Sequence, residues 1–242
     1  MRLDKYLADC GLGSRSQVKG LLKQKRVTVN GQTETSPKRV IDESQTKVAL
    51  DGEPLVYEKY LYYLLNKPKG VVSATEDKRF KTVLDLLDER ARQKEVFPVG
   101  RLDIDTHGLL LLTNNGQLAH AMLSPKKHIA KIYLAQVSGL MDDSDAAYFA
   151  KGIELEDFTC QPAHLEILER DEAEQCSLVK ITISEGKFHQ IKRMVKACGK
   201  EVVDLQRLSM GPLQLDGQLQ RGEFRRLLPE EREALEIFGV EL

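Results

Sequence analysis

The sequence lacks an apolar run near the roughly 18 residues that a membrane-spanning helix needs. Its first residues, Met1 to Lys5, also lack the apolar core of a signal peptide. The cysteines are few and far apart, a spacing that fits neither a disulfide framework nor a CxxC metal site. They are Cys10, Cys160, Cys176 and Cys198. We therefore expect a soluble, cytoplasmic protein with no membrane partner.

The sequence also lacks the common signatures of metal, nucleotide and serine-nucleophile catalysis. It has no HExxH motif, no Walker loop, no GxSxG elbow and no Rossmann glycine fingerprint after a strand. The five histidines have no spacing suited to zinc. Asp103 and Asp105 do not begin an EF-hand loop, and His107 stands where an aspartic protease needs glycine. We expect no metal site.

Net charge is small, at −1 over 242 residues, but it is unevenly distributed. Residues 1–50 contain ten lysines and arginines against five acidic residues, whereas the rest of the chain contains 26 against 32. Such asymmetry indicates a basic module attached to a different body. We place the module at 1–50, a linker at 51–59, which opens with Asp-Gly-Glu-Pro, and the body at 60–242.

Apolar spacing and a capping box predict two short helices in the module, followed by a strand and a tight turn. These features lie at Leu3, Leu7 and Cys10, at Ser14 with Gln17, and at Val27–Val29 with Asn30-Gly31. The pattern predicts a small, mostly helical domain.

Three cations recur at helical spacing in the second predicted helix: Arg15, Lys19 and Lys23. A solvated helix face is one interpretation of this stripe. Phosphate binding is the other, and it gains weight because the stripe carries a single sign of charge over two turns. With no aromatic side chain between the cations, we expect contact with the nucleic-acid backbone rather than base stacking. Arg26 completes this candidate RNA-binding set.

The stretch MRLDKYLADCGLGSRSQVKGLLKQKRVTVNG resembles a small RNA-binding module shared by a small-subunit ribosomal protein and tyrosyl-tRNA synthetases, the alpha-L motif. The resemblance covers approximately residues 1–48. It implies binding to structured RNA.

The body mixes strands and helices without regular βαβ alternation. Its patterns predict strands near 60–65, 109–113, 131–137, 179–183, 202–205 and 212–215, and helices after Asn115-Gly116 and over 191–198. This predicts an α+β fold with a mixed, largely antiparallel sheet.

Arg101 and Asp103 stand just before the buried strand at Leu109 to Thr113. An ordinary turn with a local ion pair would explain them. A second stretch, residues 185–194, clusters cations around a turn at a helix start, where RNA phosphates could bind. One of those cations could also keep a catalytic carboxylate ionised. A solvated helix end remains the alternative.

Five motifs, KPKGVV, GRLDIDTHGLLLLTNNG, IAKIYLAQVSG, EGKFHQIKRM and VVDLQRLSMGPLQL, resemble those of pseudouridine synthases of the ribosomal small-subunit family. With the N-terminal module, the resemblance spans nearly the whole chain. It implies that Asp103 is the essential catalytic residue, assisted by Tyr133 and a base of the HQIKR stretch. Lys192 and Arg193 are both available for that last role, and Lys192 is favoured by analogy.

The resemblance implies isomerisation of a uridine to pseudouridine in ribosomal RNA, most closely small-subunit (16S) RNA, by a monomer without cofactor. The candidate substrate-binding residues are Arg101, Thr106, Gln190, Arg193 and Leu205. Large-subunit (23S) or transfer RNA remains an alternative target. A non-catalytic RNA-binding assembly factor is the alternative of another class, and convergence of Asp103, Tyr133 and Lys192 on one pocket distinguishes the two.

Overall fold

The computed structural model describes residues 1–242, and the chain divides into two compact units. The first unit contains residues 1–61 and 88–95, and the second contains residues 62–87 and 96–242. None of the helices combines the length and the apolar character that crossing a membrane requires.

The first unit packs short helices with a four-stranded antiparallel sheet in the order β2-β1-β3-β4. Its elements are α1 (Leu3–Asp9), α2 (Arg15–Lys23), β1 (Val27–Val29), β2 (Gln32–Thr33), β3 (Val48–Leu50), β4 (Glu53–Pro54) and α3 (Glu89–Gln93). The predicted capping box is present: the Gln17 N–H donates to Ser14 Oγ, and the Ser14 N–H donates to Gln17 Oε1. Fully buried side chains of both first helices and of β1, such as Leu7, Leu22 and Val27, form the core.

The expectation of a mostly helical first unit is only partly right, because four strands accompany its helices. The sequence predicts β1, but β2, β3 and β4 have only two or three residues each, too few for a periodic pattern to indicate. The Asp51-Gly52 pair, expected to open a linker, instead forms the turn between β3 and β4. Both residues have positive φ, 51° and 89°, the conformation of a two-residue hairpin turn that favours Asp-Gly.

The second unit is built on a nine-stranded sheet. Its strands are β5 (Tyr62–Lys67), β6 (Phe97–Pro98), β7 (His107–Thr113), β8 (Lys131–Ser138), β9 (His164–Asp171), β10 (Cys176–Ile183), β11 (Glu201–Met210), β12 (Leu213–Gln214) and β13 (Phe224–Arg226). Its helices are α4 (Gly116–Leu123), α5 (Asp143–Lys151), α6 (Gln190–Ala197) and α7 (Pro229–Ala234), with 3₁₀ turns at Val83–Leu86, Pro125–Lys127 and Leu235–Phe238.

The main path of this sheet runs β13-β5-β7-β11-β8-β10-β9, and the predicted mixed, largely antiparallel character is present. Only the central pair, β7 with β11, is parallel. That pair comes very close at Gly108 (φ 105°), where a Cβ atom would clash with the backbone carbonyl oxygen of Arg207. Glycine is therefore required at this point of the sheet.

The structure lengthens one predicted strand. The sequence predicts a short strand at 202–205, but β11 continues to Met210, because the polar residues that follow Leu205 also pair with β8. Along β11 the burial alternates, so that Leu205, Arg207 and Ser209 are buried. A buried arginine interrupts the apolar pattern from which strands are predicted.

Candidate active site

The Asp103 carboxylate belongs to the loop between β6 and β7, and polar contacts fix the shape of that loop. The Leu102 N–H donates to Ser73 Oγ (3.0 Å), and the Ser73 hydroxyl donates to the Leu102 carbonyl oxygen (2.9 Å). The Gly70 N–H donates to the carbonyl oxygen of Ile104 (2.7 Å). The segment that follows β5 therefore positions the aspartate.

Lys67, the last residue of β5, holds the same loop from a fully buried position. Its Nζ donates to the carbonyl oxygens of Asp103 (3.0 Å), Thr106 (2.9 Å) and Pro68 (3.1 Å). Burial lowers the pKa of Lys67 to about 8, since the loss of hydration outweighs the attraction of the Asp103 and Asp105 carboxylates. The loop thus depends on a lysine that loses its proton more easily than usual.

The turn of residues 185–190 leads into α6 and is shaped by Gln190. This side chain is buried, its oxygen accepts from the Lys187 N–H (3.0 Å), and its nitrogen donates to Glu185 Oε1 (2.7 Å). His189 has a left-handed backbone (φ 50°) and directly precedes the helix. Both ends of the Gln190 amide are therefore used within the protein, although the residue lines the cavity described below.

Lys192, in the first turn of α6, bridges two carboxylates of the β6–β7 loop. Its Nζ lies 3.1 Å from Asp103 Oδ2 and 2.6 Å from Asp105 Oδ1. Burial tends to lower the pKa of Lys192, but its hydrogen bonds to Asp105 and Asp103 raise it above the ordinary value. Burial tends to raise the pKa of Asp105, yet Lys192 lowers it. The cation and the Asp105 carboxylate are therefore charged at neutral pH.

Arg193, the other cation that the sequence left available, points elsewhere. It forms an ion pair with Asp157, and its guanidinium lies over the Phe158 ring, 5.1 Å from the ring centre. The second nitrogen-bearing side chain near Asp103 is His189, whose Nε2 lies 3.7 Å from Asp103 Oδ1. The structure thus brings Lys192, and not Arg193, to the candidate catalytic carboxylate.

A cavity beside Asp103 is walled by two neighbouring strands of the central sheet. Residues two apart on a strand share a face, and Lys131 with Tyr133 on β8 and Leu205 with Arg207 on β11 line this cavity. Tyr133 and Arg207 are direct register partners. Tyr133 and Leu205 are 8% and 5% exposed. This wall combines two nearly buried side chains suited to contact a small planar ring with two cations, and Asp103 and Lys192 lie at one side of the cavity.

Two more of the predicted substrate-binding residues line the same cavity. Arg101 is exposed. Thr106 is 2% exposed, and its hydroxyl has no hydrogen-bond partner within the protein. No group of three or more His, Cys, Asp or Glu side chains is arranged as metal ligands.

The predicted RNA-binding cations lie in the first unit and differ in their surroundings. Arg15, Lys19 and Lys23 are exposed along α2 and form no ion pair. Arg26 is also exposed, but its Nε donates to Asp51 Oδ1 (3.0 Å). The hydrogen bond and charge of Asp51 raise the pKa of Arg26.

Sequence reasoning assigned no role to Lys67, Ser73 or Arg207. A signal for Lys67 was present: the lysine ends a buried strand directly before Pro-Lys-Gly, and a buried lysine needs partners. Arg207 stands two residues after Leu205, so strand periodicity places it on the same face once the strand is extended. Ser73 carries no local signal, since its partner Leu102 is distant in sequence.

Comparison with known proteins agrees with this geometry. The model of the RNA pseudouridylate synthase family matches residues 61–197, and the S4 domain model matches residues 1–54. Since the first match covers more than half of the chain, the protein belongs to the RNA pseudouridylate synthase family. It is a pseudouridine synthase, an isomerase, with an N-terminal S4 domain of the kind that binds RNA.

Similar proteins align with nearly the whole chain. An uncharacterized RNA pseudouridine synthase of Bacillus subtilis, YtzG, is 46% identical over 96% of both chains. Ribosomal small subunit pseudouridine synthase A of Escherichia coli is 41% identical over 96% of this chain and 98% of its own. A crystal structure of a pseudouridylate synthase superposes with a TM-score of 0.67 at 37% identity, over 97% of this chain and 99% of that one.

Proposed function

We propose that this enzyme converts a uridine of small-subunit (16S) ribosomal RNA to pseudouridine without a cofactor. The observation that carries the proposal is the ion pair of Asp103 with Lys192 beside a cavity walled by Tyr133 and Leu205. The small-subunit target is supported by the similarity to the Escherichia coli enzyme of that name.

The reaction breaks the bond between uracil N1 and ribose C1′, turns the ring and forms a bond from C5 to C1′. C5 loses a proton and N1 gains one, so the atoms balance with no redox partner. Asp103 acts at the ribose, either as a nucleophile on C1′ or as the base that removes the 2′ proton. Lys192 pairs with that carboxylate and holds it beside the cavity.

Tyr133 stacks on the uracil ring, and its hydroxyl, or a water bound to it, receives the C5 proton. Leu205 packs against the same ring from β11. A uridine in folded RNA reaches these residues only after it is flipped out of its stack, which costs a few kcal/mol. The geometry suits this role because the ring-contacting side chains are almost fully buried.

The remaining cations and polar groups bind other parts of the RNA or support the pocket. Exposed Arg101 contacts a phosphate of the distorted strand, and Thr106 contacts the flipped nucleotide. Gln190 and Arg193 support the turn and the start of α6 rather than the reacting atoms, since both are occupied by Glu185 and Asp157 respectively. The α2 cations Arg15, Lys19 and Lys23 bind phosphates of the surrounding RNA.

Incubation with small-subunit, large-subunit and transfer RNA transcripts, naked and in particles, tests the proposal. Pseudouridine is then mapped by reverse-transcription stops after carbodiimide treatment. We expect one new stop in small-subunit RNA with the wild type and none with Asp103→Asn, which still folds and binds RNA. The control, Asp105→Asn, keeps the catalytic carboxylate and retains the stop.

The pattern of reverse-transcription stops distinguishes the alternative functions. Activity retained by Asp103→Asn removes Asp103 from its role. A stop confined to large-subunit RNA corrects the target and keeps the chemistry; a relative from Bacillus subtilis named ribosomal large subunit pseudouridine synthase B is 37% identical over 95% of this chain. Binding without any stop indicates a non-catalytic RNA-binding protein.

A further inference from the structure

Arg207 is a buried cation that the protein itself does not neutralise. The residue is 2% exposed, and its Nε donates to the Leu109 carbonyl oxygen (2.8 Å). Its Nη2 atom has no hydrogen-bond partner within the protein, and the guanidinium forms no ion pair. The equally buried Lys67, in contrast, donates to three carbonyl oxygens. A buried charged group without partners is strongly unfavourable, so an unmatched guanidinium implies an external ligand.

The position of Arg207 identifies where that ligand lies. The side chain lines the cavity that also contains Asp103, and it stands opposite Tyr133 across the β8–β11 pairing. A second polar group of this cavity, the hydroxyl of Thr106, also has no partner within the protein. Two unmatched polar groups in one cavity fit a ligand that has both an acceptor and a further polar edge.

A purely structural role explains Arg207 poorly. The contact with Leu109 uses one of five guanidinium N–H donors and joins β11 to β7, which an apolar side chain could pack against at least as well. Lys131 adds a second positive charge on the same wall. Burial lowers the pKa of Lys131, and the positive charge of Arg207 lowers it further, while Glu185 opposes the shift. The wall is therefore positive and suited to a ligand that carries or develops negative charge.

The proposed reaction produces such a charge. When the C1′–N1 bond breaks, its electron pair passes to the uracil ring and spreads over N1, O2 and O4. Asp103 compensates at the sugar by bonding to C1′ or by taking the 2′ proton. An RNA phosphate is a less suitable partner, because the flipped base enters the pocket more deeply than its backbone, and Arg207 lies with the buried Tyr133 and Leu205.

We propose that Arg207 donates a hydrogen bond from Nη2 to a carbonyl oxygen of the flipped uracil and stabilises the negative charge that develops there during glycosidic cleavage. This inference rests on the proposed function. No covalent bond of the arginine changes. The contact is worth most in the transition state, where the carbonyl oxygen is most negative, so it accelerates the chemical step more than it strengthens RNA binding.

Single-turnover rates and RNA dissociation constants test this inference. The variants are Arg207→Gln, which keeps an N–H donor without the charge, and Arg207→Lys, which keeps the charge without the planar fork. We expect Arg207→Gln to lower the single-turnover rate about 100-fold to 1000-fold, with a dissociation constant within about threefold of the wild type. Arg207→Lys should recover part of the lost rate. Arg170→Gln, an exposed arginine of β9, is the matched control and should match the wild type in both measurements.

Each outcome of the Arg207 experiment either supports or overturns the inference. An unchanged rate in Arg207→Gln, or a loss confined to the dissociation constant, overturns the inference. So does failure of both Arg207 variants to fold, judged by circular dichroism and melting temperature, because the arginine is then a structural element. The transcripts include small-subunit, large-subunit and transfer RNA, and rates are measured on whichever is modified. If the proposed RNA target is wrong, the wild type modifies a different transcript. If the role of Arg207 is wrong, the wild type is active and the Arg207 variants have an unchanged rate.

Discussion

The two units of this enzyme use positive charge in opposite ways. In the first unit, Arg15, Lys19 and Lys23 stand exposed along one helix without ion pairs. In the second, Lys67 and Arg207 are buried and touch particular backbone carbonyls. Exposed charges act over roughly 10 Å and are screened by salt, whereas buried charges act at contact and depend on geometry. We infer that the first set governs how tightly RNA is held and the second governs the chemistry.

Among the lysine variants and the variants of the exposed cations, Lys192→Gln should have the largest effect. In Lys192→Gln, the Asp103 and Asp105 carboxylates lose the cation that bridges them and repel each other, so the carboxylate that we propose for catalysis is less well positioned. We expect the single-turnover rate to fall by about 100-fold or more, with RNA affinity little changed. Quench-flow measurement of pseudouridine formation gives the rate, and filter binding gives the affinity.

Arg193→Gln is the matched control for this variant, since Arg193 lies one residue away and pairs with Asp157. We expect its rate to fall less than about tenfold. A larger loss in Arg193→Gln than in Lys192→Gln would reverse the assignment of the catalytic cation.

Lys67→Met should affect both stability and rate. Three carbonyl oxygens lose their donor, partly offset by removal of a buried charge, so we expect the free energy of unfolding to fall by roughly 2–4 kcal/mol. The loop that carries Asp103 becomes less fixed, and the rate should fall on the order of tenfold. Urea unfolding and single-turnover assays measure the two effects. A variant as stable as the wild type would show that the three contacts contribute little.

The lowered pKa of Lys67 gives this residue a pH signature. As the pH rises through about 8, the neutral amine has too few N–H groups for three carbonyl oxygens, so activity should decline. Stability changes in the other direction. Between about 8 and the unfolded value of 10.5, the unfolded chain holds a proton that the folded chain has lost, so this group's contribution to the free energy of unfolding rises with pH. Urea titrations at several pH values should show this rise in the wild type and not in Lys67→Met.

The exposed set should behave differently. Replacing Arg15, Lys19 and Lys23 together by Gln removes three phosphate contacts, so the slope of log affinity against log salt should decrease by roughly 2 to 3. We expect affinity at moderate salt to fall about tenfold and the rate at saturating RNA to stay within about twofold. A salt slope equal to that of the wild type would show that this helix face is only solvated and does not contact RNA phosphates.

Arg26→Gln should have the smallest effect of all. Although the sequence grouped Arg26 with the α2 cations, Asp51 already neutralises it. We expect the salt slope to decrease by clearly less than about 1, the value for a full phosphate contact. Asp51→Asn tests the same point in reverse, since it frees the guanidinium and should tighten RNA binding slightly.

Local signals predicted much of this fold. The capping box at Ser14 and the strand predicted at 179–183 each depend on neighbours in sequence, and each is present. Where a local signal has two meanings, the prediction could fail. Asp51-Gly52 suits both a linker and a hairpin turn, and only the partner strand distinguishes them.

The candidate site shows the same difference between local signals and contacts of residues distant in sequence. The motif resemblance pointed to Asp103, Tyr133, Lys192 and Leu205, and these side chains line one cavity. The contacts of the groups that support them could not be predicted, because the partners are remote in sequence: Lys67 with Asp103, Ser73 with Leu102 and Arg207 with Leu109. Local signals placed Lys67 at the end of a buried strand and Arg207 on the face of Leu205, but they did not identify what either side chain contacts.

The single parallel pairing in the sheet has a consequence for biosynthesis. It joins β7 to a strand that the ribosome makes about a hundred residues later, and the aspartate and its lysine are separated by 89 positions. A nascent chain that ends before Gln190 carries Asp103 and Tyr133 without Lys192 and without the β11 side of the cavity. The cavity is therefore complete only after β11 has been synthesised.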